Sequence, residues 1–123
     1  MRLNEILALI RSFFPKAKTS IERHEIREDF EYLSLRIQVN KYSIVIRETW
    51  IKNKLIRYGY QLLKNSTHIL RYNNVPHHKN IETFPHHKHV KGEVKPLKDY
   101  SLQAFLNEAK NIIKHNNQQK QSN

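Results

Sequence analysis

The chain has no cysteine. That absence removes disulfide frameworks and every thiolate-based zinc site, and it permits a reducing cytoplasm, so the chain reads as cytoplasmic. Long apolar runs are missing as well. The most apolar opening stretch, LNEILALIRSFF (3–14), is short, is interrupted by Glu5 and Arg11, and lacks a small-residue cleavage site. It predicts neither a signal peptide nor a membrane span. Acid is scarce: 11 Asp and Glu stand against 22 Lys and Arg, leaving a formal charge of +11. So large a surplus on one small domain points to an anionic partner, nucleic acid or an acidic protein. A genomic bias toward Lys and Asn is the plain alternative. With 123 residues, the chain has room for a single modest core.

Within that length the hydrophobic period changes. Leu3, Ile6, Leu7, Ile10 and Phe13 or Phe14 recur at helical spacing until Pro15, which predicts an N-terminal helix. ERHEIREDFE (22–31) holds five acids and two bases, and reads as a short helix or an irregular approach to a sheet. The period then drops to two. YLSLRIQVN (32–40) alternates Leu33, Leu35, Ile37 and Val39 against Tyr32, Ser34, Arg36 and Gln38. Further strands are expected over 41–51, 55–64 and 67–74, and their short connections require antiparallel neighbours. Residues 75–97 show no sustained period and hold three of the four prolines. Ser101 is placed to cap a last helix carrying Leu102, Phe105, Leu106, Ala109, Ile112 and Ile113.

The fold class expected is α+β: a four-stranded antiparallel β-meander packed on one face by N-terminal and C-terminal helices, with a His-rich loop after the fourth strand. One domain spans 1–115, and 116–123 reads as a disordered polar tail. The predicted sheet is basic, with eight basic residues and one acid between Arg36 and Arg71. A face carrying Arg36, Arg47 and Arg57 beside Tyr58, Tyr60 and Tyr72, with Lys79 nearby, suits a single-stranded nucleic acid: cations meet phosphates and rings meet bases. Taken singly, each of these residues also fits a solvated outer face.

Five of the eight histidines, His77, His78, His86, His87 and His89, fall within thirteen residues of VPHHKNIETFPHHKHV (75–90). A metal site needs three or four converging ligands, yet no His-Glu-x-x-His helix occurs and Glu82 and Glu93 are the nearby acids. No cofactor and no metal are assigned. General acid–base chemistry needs only two imidazoles, one to accept a proton and one to donate. Neighbours in extended chain point opposite ways, so His87 and His89 are expected on one face, with His86 and Lys88 on the other. Lys79, Lys88 and Arg71 are candidates for stabilising charge on a phosphate.

Arg71-Tyr72-Asn73-Asn74, then Pro76-His77-His78, then Thr83-Phe84-Pro85-His86-His87-Lys88-His89 resembles the signature of the TumE-type toxin family of prokaryotic toxin–antitoxin modules. The family string reads roughly Arg-Tyr-Asp-Asn, x-Pro-His-His and Thr-Phe-Pro-His-His-Lys-His. The resemblance implies a toxin with a cognate helix-turn-helix antitoxin as protein partner. It also matches Glu48 to a position where related sequences tend to carry an acid, and Tyr58 and Tyr60 to a tyrosine-bearing third strand. The family's Asp is Asn73 here, which weakens any role for that carboxylate as a metal ligand and suits a turn hydrogen bond. The function expected is growth inhibition by an endoribonuclease using histidine acid–base catalysis without a metal. His77, His78, His86, His87, Lys88, His89, Arg71 and Glu48 are its candidate catalytic residues, and Glu48 is expected to orient a histidine or act as a further acid–base. Occlusion of nucleic acid without cleavage and a His-metal nuclease are the alternatives. RNA is the expected substrate, and a homodimer or a toxin–antitoxin hetero-oligomer are the assemblies considered.

Overall fold

The computed structural model describes residues 1–121. Helix α1 (Arg2–Phe13) precedes β1 (Lys18–Arg27), β2 (Phe30–Val39), β3 (Tyr42–Ile51), β4 (Lys54–Lys64), β5 (Thr67–Asn73), β6 (His87–Val90) and β7 (Glu93–Pro96), and α2 (Leu102–Gln121) follows. The strands form one sheet in chain order, each antiparallel to the next. The α+β class, the two terminal helices and the four central strands agree with the sequence. The strand number does not: seven strands, not four, are present among the described residues.

The three extra strands have separate causes. ERHEIREDFE is neither helix nor irregular approach, because most of it lies in β1, which turns through Glu28 and Asp29 into β2. As an edge strand, β1 has no fully buried residue, so charges occupy both its faces and obscure the alternation. Strands β6 and β7 have four residues each, and the histidines and prolines around them hide their period. Residues 116–121, read as part of a disordered tail, continue α2 instead, and the last two residues lie outside the described ones.

Tight hairpins hold the meander in register. Lys52-Asn53, Asn65-Ser66 and Lys91-Gly92 all have positive φ, the backbone of two-residue turns that match strand twist. Asp29 and Asn40 take positive φ at the other two turns, a conformation that short polar side chains tolerate. The core lies on one face only. Leu33, Leu35, Ile37, Ile44, Ile46, Tyr60, Leu62 and Leu70 are fully buried there beneath Ile6 and Ile10 of α1 and Phe105, Leu106 and Ala109 of α2. Ser101 caps α2 as expected, its Oγ accepting from the Ala104 N–H at 3.0 Å.

Glu48 binds this layer together. It lies on the covered face of β3 with its side chain wholly buried. Arg2 of α1 donates to both carboxylate oxygens, at 2.7 and 2.9 Å, Trp50 Nε1 donates at 2.8 Å, and the Tyr60 hydroxyl donates at 2.5 Å. Burial, then the adjacent carboxylate, pushes the Tyr60 phenol up, so it remains a donor. None of these partners is a histidine, so the expected orientation of a histidine by Glu48 is not what its hydrogen bonds serve.

Glu48→Ala would strand the largely buried Arg2 guanidinium and two orphaned donors. It is expected to lower unfolding free energy by about 3–5 kcal/mol, measured as a reduced urea midpoint. Glu48→Gln, which keeps an acceptor, should lose less.

Candidate active site

The alternation of β6 divides the histidine segment between the two faces of the sheet. Tyr72 pairs with Lys88 and Leu70 with Val90 on the covered side, while Arg71 pairs with His89 and Asn73 with His87 on the other. Lys88 reaches α2, donating to Glu108 at 3.2 and 3.3 Å, and the Tyr72 hydroxyl donates to the same carboxylate. His86 stacks on Tyr100 with centroids 3.8 Å apart, and its Nδ1 lies 2.8 Å from the Tyr58 hydroxyl. The face division expected from the sequence holds. Its consequence is that Lys88 and His86 are built into the helix-covered side.

His87 and His89 meet a third ring on the open face. Between β5 and β6 the chain does not run extended. It folds through successive turns, with the N–H groups of His77, Ile81, Phe84 and His86 donating to the carbonyls of Val75, His78, Ile81 and Thr83. These turns carry His78 back over the sheet, while His77 stays exposed. The centroid separations are 4.8 Å for His78–His87, 5.0 Å for His87–His89 and 5.5 Å for His78–His89, all edge-on. Thr83 locks the return: its hydroxyl donates to the His86 carbonyl at 2.6 Å and accepts from the Leu97 N–H at 2.8 Å. Asn73 accepts from the Val75 N–H at 3.1 Å. That is the turn hydrogen bond for which Asn and Asp serve equally.

The tautomer of His87 follows from its partner. Nδ1 lies 3.0 Å from the Pro85 carbonyl oxygen, which only accepts, so Nδ1 carries the proton and Nε2 presents its lone pair. Burial is the main cause holding both His87 and His89 below the ordinary imidazole range, and the Arg71 guanidinium adds to it; His89 is lowered to about 4. At neutral pH both rings are uncharged bases. They are also in the form that ligates metals: the available nitrogens of His78, His87 and His89 lie within 4.8 Å of one another. A tetrahedral zinc bound at 2.0–2.1 Å per nitrogen brings ligand atoms to about 3.3 Å, so the rings would have to draw together around it.

Arg36, Arg47 and Arg57 are exposed and point away from the helices, as expected for a basic open face, and Lys79 is exposed on the turns. The tyrosines do not join them. Tyr58, Tyr60 and Tyr72 are 2%, 0% and 3% exposed, sharing the covered face with Leu62 and Leu70. Their spacing from those leucines carried the signal: Tyr58, Tyr60 and Leu62 have the same parity. Sequence reasoning also missed Tyr100 and Glu108, the partners of His86 and Lys88, since both lie far along the chain and have no local pattern.

The depressed histidines bind fewer protons folded than unfolded. Stability should therefore fall as pH drops below about 6.5, with the contribution of His89 levelling off near pH 4. Thermal melts of wild type and His89→Gln from pH 7.5 to 4 isolate this term. The wild type should lose ground to the variant across that window, and parallel curves would contradict the assignment.

No curated protein and no solved structure matches this sequence. The family described as Toxin TumE does, over residues 7–115, a span that runs from α1 well into α2 and includes every residue of the three-histidine cluster. The chain belongs to the TumE toxin family.

Proposed function

We propose that this toxin inhibits growth by cleaving RNA at the open face of its sheet, in the cytoplasm, through the imidazoles of His78, His87 and His89. The observation that carries this is the convergence of three rings beside Arg71, two of them held neutral, on the face that also exposes Arg36, Arg47 and Arg57. A neutral imidazole such as His87, through Nε2, takes the proton of a ribose 2′-hydroxyl. The freed oxygen attacks the adjacent phosphorus, and the bond to the 5′-oxygen breaks as a second, protonated imidazole hands that oxygen a proton. Arg71 balances the charge that accumulates on the phosphoryl oxygens. A bound phosphate is itself anionic and raises the pKa of the rings around it, which supplies the protonated partner when substrate is present. Arg36, Arg47 and Arg57 bind the strand by its phosphates. Tyr58, Tyr60 and Tyr72, buried on the covered face, take no part in base stacking.

Membership of the family implies an antitoxin partner. A helix-turn-helix antitoxin with an acidic surface complements the +11 charge and silences the toxin by covering the open face. Membrane association is not part of the proposal, as no described helix is long and apolar enough to cross a bilayer. A metal-dependent route is a second proposal, favoured by one observation: three imidazoles converge, and one of them has its second nitrogen oriented by a carbonyl.

Purified toxin incubated with total RNA decides among these. His87→Ala or His78→Ala should lower cleavage by about 10²-fold or more, abolish growth inhibition, and leave RNA binding intact. Lys88→Ala should lower the melting temperature through loss of the Glu108 contact and spare cleavage. Cleavage lost to a chelator and restored by one divalent ion would replace acid–base catalysis with the metal route. Binding with no cleavage products would leave occlusion as the mode of action.

A further inference from the structure

The three-histidine cluster does not end at His89. On the far side of that ring, and of Arg71, lies a cleft of about 280 Å³ between the β4–β5 and β6–β7 turns. His68, Arg71, His89 and Lys91 line it, Gly92 forms part of its rim, and no carboxylate is among the lining residues. Arg71 and His89 therefore belong to both places, the cluster on one side and the cleft on the other. Gly92 takes φ +75°, and a side chain there would meet nothing within 4 Å, so the rim is open to backbone approach. Lys91 and His68 are exposed. Elsewhere on the sheet Arg23, Arg27, Arg36, Lys88 and Lys95 are ion-paired, whereas the lining of the cleft offers Arg71 and Lys91 no acid.

We propose that this cleft is a subsite for the phosphate that flanks the scissile one along an RNA strand, with Lys91 and His68 as its specific ligands and Arg71 shared between the two phosphates. The inference rests on the cleavage site proposed above. Its chemistry is that of a phosphodiester: a small anion with several acceptor oxygens, met by an ammonium, a guanidinium and imidazole N–H donors in a concave site without competing acids. A strand whose reactive phosphate sits at the cluster continues past His89 on the side where Lys91 waits. The cleft thereby sets the direction in which the strand leaves the site, and substrates must extend by at least one further phosphate on that side.

The test uses oligonucleotides with a 2′-deoxyribose at the scissile position, which bind without being cut. Binding of a dinucleotide with one phosphate and of longer strands is measured by fluorescence anisotropy across salt concentrations. Lys91→Ala should weaken binding of the longer strands by about tenfold and lower the salt slope by about 0.7. It should leave the dinucleotide unchanged. His68→Ala should act in the same sense and more weakly, and Arg71→Ala should weaken both substrates. Because Lys91 and His68 are exposed, neither change is expected to disturb folding, and Lys91→Arg should restore binding. Wild-type affinity and slope in Lys91→Ala and His68→Ala overturn the subsite and leave the cleavage site standing. A wild-type protein that binds none of these strands overturns both.

Discussion

Everything about this site depends on the pleat of one four-residue strand. In β6, neighbours face opposite sides of the sheet, and the two sides have opposite fates because both helices cover the same one. His87 and His89 are thereby placed in the open with Arg71, and Lys88 is drawn under α2 with Tyr72 and Glu108. A shift of one residue in the β5–β6 register would exchange the sets, burying two imidazoles in the apolar layer and exposing an ammonium. The register is guarded from both ends: by the Lys91-Gly92 turn, and by Thr83, which ties the return of the chain to Leu97. Lys88 fastens the covered side of the same strand to α2 through Glu108.

Two ionic centres occupy the covered side of that division. Glu48 on β3 and Glu108 on α2 lie between helix and sheet, and each collects a tyrosine hydroxyl and a basic side chain. They fasten one helix each: Glu48 holds α1 through Arg2, and Glu108 holds α2 to β5 and β6. Such centres cost desolvation, and their worth lies in specifying how helix meets sheet. On the open face no carboxylate among the described residues pairs with Arg71, which leaves its field available to the anion proposed above.

Much of this was legible in the sequence where periods were long. The strands over 32–40, 41–51, 55–64 and 67–74 appeared within a few residues of β2 to β5, and Ser101 announced α2. The parity of His86 to His89 also followed from alternation alone. What stayed hidden has physical causes. Strand β1 lies at an edge, where burial does not select for alternation, and β6 and β7 are too short to show a period. The inward turn of Tyr58 and Tyr60 was present in their register with Leu62, but an attraction between rings and bases suggested the opposite face. His78 joins the cluster only through the turns at 75–86, and Lys91 approaches it only through the β6–β7 hairpin. Contacts made by chain reversal leave no periodic trace.

The charge state of the cluster gives the site a conditional character. Burial and Arg71 both disfavour protonation of His87 and His89, so in the proposed cleavage these two rings act as bases until something negative arrives. A phosphate between Arg71 and the rings cancels the guanidinium's field and lowers the cost of an imidazolium. On the proposed mechanism substrate and proton would then be taken up together, each favouring the other by linkage. An acidic antitoxin segment lying over the cluster would exert the same pull on the rings while leaving no 2′-hydroxyl to deprotonate. If the proposed cleavage holds, protonating the histidines without offering them a substrate would tie inhibition to the same electrostatics.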